Sequence, residues 1–240
     1  MLGCQTQMEQ ADTSCVTRMT DPFARAGLVG YPPCRLLAHT DVMADAVRLE
    51  LFPAERARLS RLKDETRRAS LSASFQARRK IIAELTQADP ASVSLSANEA
   101  GAPLLSHPRG YAVSIAANES FTLVALETDA AAIGTDLEIM RPIDWRPMLE
   151  MICSETEGQA FHTHAQKSDG LEDFLRLWTI KEAILKATGK GFRAGPKNIL
   201  VPEKLLAPAA YGQIAAFGER YRIWTTSLGH LVLSLARKSG

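Results

Sequence analysis

Two short stretches hold residue types suited to chemistry on phosphates. In Ile133-Gly134-Thr135-Asp136-Leu137-Glu138 the alternation predicts a strand. Asp136 and Glu138 then share one face, and Ile133, Leu137 and Ile139 the other. In Trp178-Thr179-Ile180-Lys181-Glu182-Ala183-Ile184-Leu185-Lys186 the spacing predicts a helix. Trp178, Glu182 and Lys186 lie in line at successive i+4 steps, with Lys181 alongside. Where strand and helix meet, three carboxylates converge beside two or three ammonium groups, a set that suits a hard divalent cation holding a polyphosphate. Each stretch alone has an ordinary reading. A D-x-E on an edge strand is usually a solvated face, and Glu182 to Lys186 is a helix pair contributing only ~0.2–0.5 kcal/mol. Their joint occurrence, in this order and separated by a helical stretch, points to chemistry.

The elements that must position these groups follow from period and punctuation. Residues 1–33 are polar, Gly/Pro-punctuated and aperiodic, which predicts a poorly ordered leader. A first strand is expected over 35–38. Pro53 suits a helix start, where its missing N–H costs nothing, and opens a helix over 54–63. A second helix, over 67–85, carries the stripe Leu71, Phe75, Ile81, Ile82 and Leu85. A short strand at 93–95, a turn at 101–103 and a hairpin of 111–116 with 121–126 around Asn118-Glu119-Ser120 follow. After the Asp136 strand come helices over 145–152, 155–165 and 171–187, then strands near 214–217, 221–226 and 231–235. The order strand, helices, strands occurs twice. It predicts an α+β fold of two similar halves, 34–129 and 130–240, joined near 128–131.

The order G-x-D-x-E, then an acidic helix start at Ser154-Glu155, then W-x-x-K-E-A-x-x-K-x-x-G-x-G from Trp178 to Gly191, spans a specific pattern. It resembles the 4'-phosphopantetheinyl transferases, in particular the larger, pseudo-dimeric class that activates peptide and polyketide synthases. The resemblance covers roughly residues 53–197. It implies two halves related by a pseudo-twofold axis, with the active site in the cleft between them. It also implies transfer of the phosphopantetheine arm of coenzyme A to a serine of an apo acyl or peptidyl carrier protein, releasing 3',5'-ADP. By the same resemblance, Asp136, Glu138 and Glu182 bind Mg²⁺, with Mn²⁺ as the alternative ion. Lys181 and Lys186 meet the diphosphate, with Lys190 assisting. Glu182 and Lys186 are the catalytic pair, and Glu182 or a metal-bound water takes the serine proton. Trp178 reads as a packing anchor.

The chain departs from the family where the 3'-phosphate of coenzyme A is held. Gly101-Ala102-Pro103 stands for Gly-Lys-Pro, Ser114-Ile115 for Ser-His, and a helix arginine falls on Ser70 by ungapped count. Arg58 is the basic group left at a matching place, and Arg78, Arg79 and Arg109 are substitutes; Arg58 and Arg79 are assigned to coenzyme A. The pocket is therefore expected to be less basic than the family's and to discriminate little between coenzyme A and its 3'-dephospho form. Two other readings follow: a donor that lacks the 3'-phosphate, and a descendant that binds nucleotide or carrier without catalysis. Apolar surface over 140–151 is a candidate for carrier docking.

Composition sets the outer bounds. The chain has 240 residues, 46% of them hydrophobic, enough for one large domain or two moderate ones. Lys+Arg 28 against Asp+Glu 27 leaves +1, which argues against bulk binding to nucleic acid. No apolar run approaches membrane-spanning length, and the first thirty or so residues lack a signal peptide's apolar core. Cys4, Cys15, Cys34 and Cys153 lack C-x-x-C spacing. A cytoplasmic protein with reduced thiols is expected, and, because both halves lie in one chain, a monomer. His107, His162 and His164 read as surface residues.

Overall fold

Apolar side chains on both faces of a strand require cover on both sides, and this chain supplies it with two stacked sheets and a helix outside each. The computed structural model describes residues 19–45, 48–99, 101–128, 132–165 and 170–239. In chain order the elements are α1 (Pro22–Arg25), β1 (Cys34–Ala38), α2 (His39–Ala44), α3 (Pro53–Ser60), α4 (Glu65–Thr86), β2 (Ser94–Ala97), β3 (Pro103–His107), β4 (Ala112–Ala117) and β5 (Phe121–Glu127). They continue with β6 (Ile133–Ile139), α5 (Arg146–Ile152), α6 (Glu155–Ala165), α7 (Leu171–Ala187), β7 (Ala209–Ala216), β8 (Glu219–Leu228) and β9 (Leu231–Lys238). The α+β class expected from the sequence holds.

The first sheet runs β1-β5-β4 and the second β6-β9-β8-β7, all antiparallel. Phe121, Leu123 and Ala125 of β5 face the second sheet, where they meet Ile133, Leu137, Leu233 and Leu235. Val124 and Leu126 point the other way, onto Ala77, Ile81 and Ile82 of α4. In the second sheet Ile223 and Ala236 face outward to Ile180, Ala183 and Ile184 of α7. The layers are therefore helix, sheet, sheet, helix. Both sheets share one connectivity: the first strand pairs with the last, and the last with the one before it. Three helices separate the first strand from the others in each case. The small β2-β3 sheet flanks β4. Residues 129–131, in the expected junction, lie outside the described residues.

Several boundaries differ from expectation for local reasons. Asp64 caps α4 by accepting from Arg67 N (2.8 Å), so the helix starts at Glu65, before residue 67. The turn read at 101–103 ends early, because Pro103 opens β3. The largest correction concerns the leader. Residues 1–18 lie outside the described residues, but from Met19 onward the chain is packed rather than loose. Asp21 caps α1, Phe23 is fully buried in the core between the sheets, and Trp224 Nε1 donates to Val29 O at 3.0 Å. Phe23, Leu28 and Tyr31 reach that core as isolated apolar residues, without the period that marks an element. Cys34 and Cys153 are buried free thiols.

Candidate active site

The site begins with a glycine. A Cβ on Gly134 would lie 1.8 Å from Ala183 O and 2.6 Å from Ala187 N. Only a residue without a side chain lets the backbone of α7 rest on β6 this closely. Period two then places Asp136 and Glu138 on the same face as Gly134, towards α7, while Ile133 and Leu137 enter the core between sheets.

Lys186, one turn after Glu182, reaches across to β6. Its Nζ donates to Thr135 O (2.9 Å) and Asp136 Oδ1 (2.7 Å). Asp136 is 7% exposed, and its other oxygen, Oδ2, is buried without a hydrogen-bond partner. Burial pushes the Asp136 carboxyl up from its ordinary value, against the pull of Lys186. Glu138 is pushed up to about 7 by burial and then by the charge of Asp136; Glu182 adds to this, and Lys186 and Arg141 oppose it. Glu182 is raised by burial and by Asp136, with Lys186 opposing. Three carboxylates thus share one ammonium, and an oxygen of one has no donor at all. By ligand type, though not by arrangement, the set suits a hard cation, which prefers oxygen. Among the described residues, however, no group of three or more His, Cys, Asp or Glu side chains is arranged so that it could hold a metal ion. Lys186 already occupies one of the oxygens such a site would use.

A cleft opens beside this cluster. Two cavities of about 550 and 540 Å³ share walls at Arg58, Arg78, Ala117, Asn118 and Glu138. The second is also lined by Asp136, Lys186, Ile115 and Pro103. Elements from separate parts of the chain form the walls: α3, α4 and the β4–β5 hairpin on one side, β6 and α7 on the other. Ser114, buried on β4, joins the sides by accepting from Thr135 N (2.9 Å).

The structure brings Asp136, Glu138, Glu182, Lys186 and Arg58 to this region and redirects the other candidates. Lys181 is 1% exposed and faces away from the cleft. Its Nζ donates to Glu157 Oε2 (2.7 Å), Pro196 O (3.1 Å) and Ile199 O, so it ties α6 to the segment after α7. Arg79 is 2% exposed; it donates to Glu50 O (2.7 Å) and lies 4.6 Å over the Phe52 ring, bracing the chain before α3. Its neighbour Arg78 faces the cleft instead, as adjacent helix positions differ by about 100°. Lys190 is exposed past the end of α7 and, like Arg109, is absent from the cavity walls. Trp178 packs near Phe174 and Phe192, as an anchor should. Sequence reasoning missed His39, which is buried and sits 3.0 Å from Glu119 O and 2.9 Å from Thr122 Oγ1. It holds the hairpin turn that forms part of the wall, and a lone histidine in a mixed stretch gives no signal of that.

Comparison with known proteins gives this site a lineage. Residues 132–226, which contain Asp136, Glu138, Glu182 and Lys186, match the 4'-phosphopantetheinyl transferase superfamily. Among individual relatives, a putative 4'-phosphopantetheinyl transferase of Synechocystis sp. is 35% identical over 99 residues, 40% of this chain and 39% of that protein. The 4'-phosphopantetheinyl transferase AcpT of Salmonella typhimurium is 35% identical over 69 residues, 28% of this chain and 35% of that protein. The chain thus matches less than two fifths of the length of either relative.

Proposed function

We propose that this protein transfers 4'-phosphopantetheine from coenzyme A to a serine of an apo acyl or peptidyl carrier protein, acting in the cytoplasm as a monomer. The observation that carries the reading is the buried, unpartnered Asp136 Oδ2 beside Lys186, Glu138 and Glu182 at the edge of a cleft. Such a deficit of positive charge fits a divalent cation that arrives with substrate phosphates, since Mg²⁺ is usually held by one or two carboxylates plus phosphate oxygens. Asp136, Glu138 and Glu182 would hold it, and when bound it neutralises charge on the diphosphate. The carrier serine oxygen bonds to the phosphorus bearing pantetheine. The bond from that phosphorus to the bridging oxygen breaks, and 3',5'-ADP leaves with the oxygen. Glu182, whose carboxyl burial has raised, takes the serine proton. Lys186 orients Asp136 and adds positive charge beside the diphosphate.

Ile115, an apolar side chain in the same cavity wall as Asp136 and Lys186, favours a second reading in which the donor lacks a 3'-phosphate. No described helix is long and apolar enough to cross a membrane. The test is direct. Purified protein is incubated with coenzyme A, Mg²⁺ and several apo carriers, and the carriers are weighed by mass spectrometry. A phosphopantetheine increment on one of them is expected; its absence from all, with a known transferase succeeding in parallel, would sink the proposal.

A further inference from the structure

The second sheet has two edges, and they end differently. At β6 the edge lies against β4, and the backbone N–H of Thr135 donates to Ser114 Oγ. At β7 the edge is open. Ser227 N donates to Pro208 O, which fixes the phase of the ladder. The even-numbered residues of β7 therefore bond to β8, while Ala209, Tyr211, Gln213 and Ala215 turn their N–H and C=O groups outward. None of those groups has a hydrogen-bond partner among the described residues. Proteins blunt such edges with charge, proline or a bulge, and β7, Ala-Ala-Tyr-Gly-Gln-Ile-Ala-Ala, has none of them. On the face that Tyr211 shares with Trp224, the Tyr211 ring lies 5.2 Å from the indole, and Val29 O accepts from Trp224 Nε1. Tyr211 and Val29 are both exposed. On the same face Arg222 stands across from Gln213, and Arg220 across from Ala215. Both arginines are exposed, and neither forms an ion pair among the described residues.

We infer that the β7 edge is a docking strand for an extended acidic segment of a partner protein, which joins the four-stranded sheet as one more strand. The inference goes beyond the transferase reading and does not depend on it. Main-chain hydrogen bonds to Ala209, Tyr211, Gln213 and Ala215 supply affinity, and alternate side chains of the segment supply the choice. Half of those side chains fall on the face of Tyr211, Arg220 and Arg222. Neighbouring strands lie ~4.8 Å apart, so an arginine on β8 reaches over β7 to a carboxylate on the added strand. Gln213 and Ala215, which lie between, carry no charge of their own. Tyr211 and Val29 offer an apolar side chain a place nearby. Charge decides between occupants. A second copy paired through its own β7 would bring two more arginines onto the same face, where neither β7 nor β8 carries a carboxylate. A segment with carboxylates at alternate positions turns the same charge into attraction.

Fluorescence anisotropy with two labelled probes tests the docking strand. One probe is a peptide as long as β7 that alternates valine with glutamate, and the other has lysine in place of glutamate. The whole protein is expected to bind the glutamate probe ~10-fold more tightly, equivalent to ~1.4 kcal/mol. Amide exchange at Tyr211 and Gln213 should slow when it binds. Gln213→Pro removes an outward N–H without touching a bond to β8, and should weaken the glutamate probe by ~10-fold. Arg222→Glu leaves the backbone intact and should turn the preference towards the lysine probe. Equal binding of the two probes overturns the inference, and so does binding of neither up to ~1 mM. An Arg222→Glu protein that keeps the wild-type preference overturns it as well. Sedimentation equilibrium that shows a dimer, dispersed by Gln213→Pro, would give the edge to a second copy and overturn it too.

Discussion

Two polar clusters sit on α7 little more than a turn apart, and they differ in completeness. Around Lys181 every partner is in place: the ammonium has Glu157 and two loop carbonyls, and the other oxygen of Glu157 accepts from Val201 N. Around Lys186 the accounts do not close. One ammonium serves Asp136 while Glu138 and Glu182 press on the same region and Asp136 Oδ2 has no donor. A saturated cluster holds structure together, and an unsaturated one is available to a ligand. Motif membership does not separate the two lysines; the state of their partners does.

The comparison breaks most readily at the saturated end. Lys181→Ala leaves Glu157, whose side chain is 9% exposed, without its cation. The expected cost is about 3–5 kcal/mol of stability, seen as a lower thermal midpoint, with turnover per folded molecule little changed. A Lys181→Ala protein that melts normally but cannot transfer would reverse the roles assigned here. At the unsaturated end Asp136→Ala should do the opposite. Transfer should fall by roughly 10²–10³-fold, the scale of a lost electrostatic stabiliser, while the melting curve stays close to wild type.

Gly134→Ala probes the contact that brings both clusters into register. Its Cβ would overlap Ala183 O, so α7 must shift from β6, at about 1–3 kcal/mol. Stability and activity should fall together, unlike in either earlier variant. The smallest effect is one of pH. Glu138 ionises near 7 in the folded protein against an ordinary 4.5. An acid with a raised folded pKa favours the folded state at low pH, so ion-free protein should lose stability as pH climbs from about 4.5 to about 7. With a discount for partial exposure the loss is roughly 1 kcal/mol. Thermal midpoints in a chelator should show it, and Glu138→Gln should flatten it; an unchanged slope in that variant would remove Glu138 from the coupled set.

Much of the site was legible because it rests on local period. The D-x-E alternation put Asp136 and Glu138 on one face, and the i+4 spacing aligned Glu182 with Lys186. Lys181 and Arg79 were misread because their partners lie far along the chain. Glu157 and the carbonyls at 196 and 199 claim Lys181, and Glu50 and Phe52 claim Arg79. Which of Arg78 and Arg79 faces the cleft depends on the rotation of α4 against its sheet, which an ungapped count cannot supply. The repeated element order was readable from pattern alone. The packing of 19–33 was not, since Phe23 sits in a stretch with neither helical nor strand period.

The strap from Val29 to Trp224 changes what counts as the indivisible piece of this chain. The segment that matches the superfamily stops at residue 226, yet β9, at 231–238, lies between β6 and β8 in the second sheet. Phe23 and the first sheet cover that sheet's inner face, and Trp224 is fastened to residue 29. Evolutionary modularity and folding cooperativity are therefore drawn on different boundaries. The stretch that carries the lineage is a recognisable word, but the smallest grammatical sentence runs from the strap to the last strand.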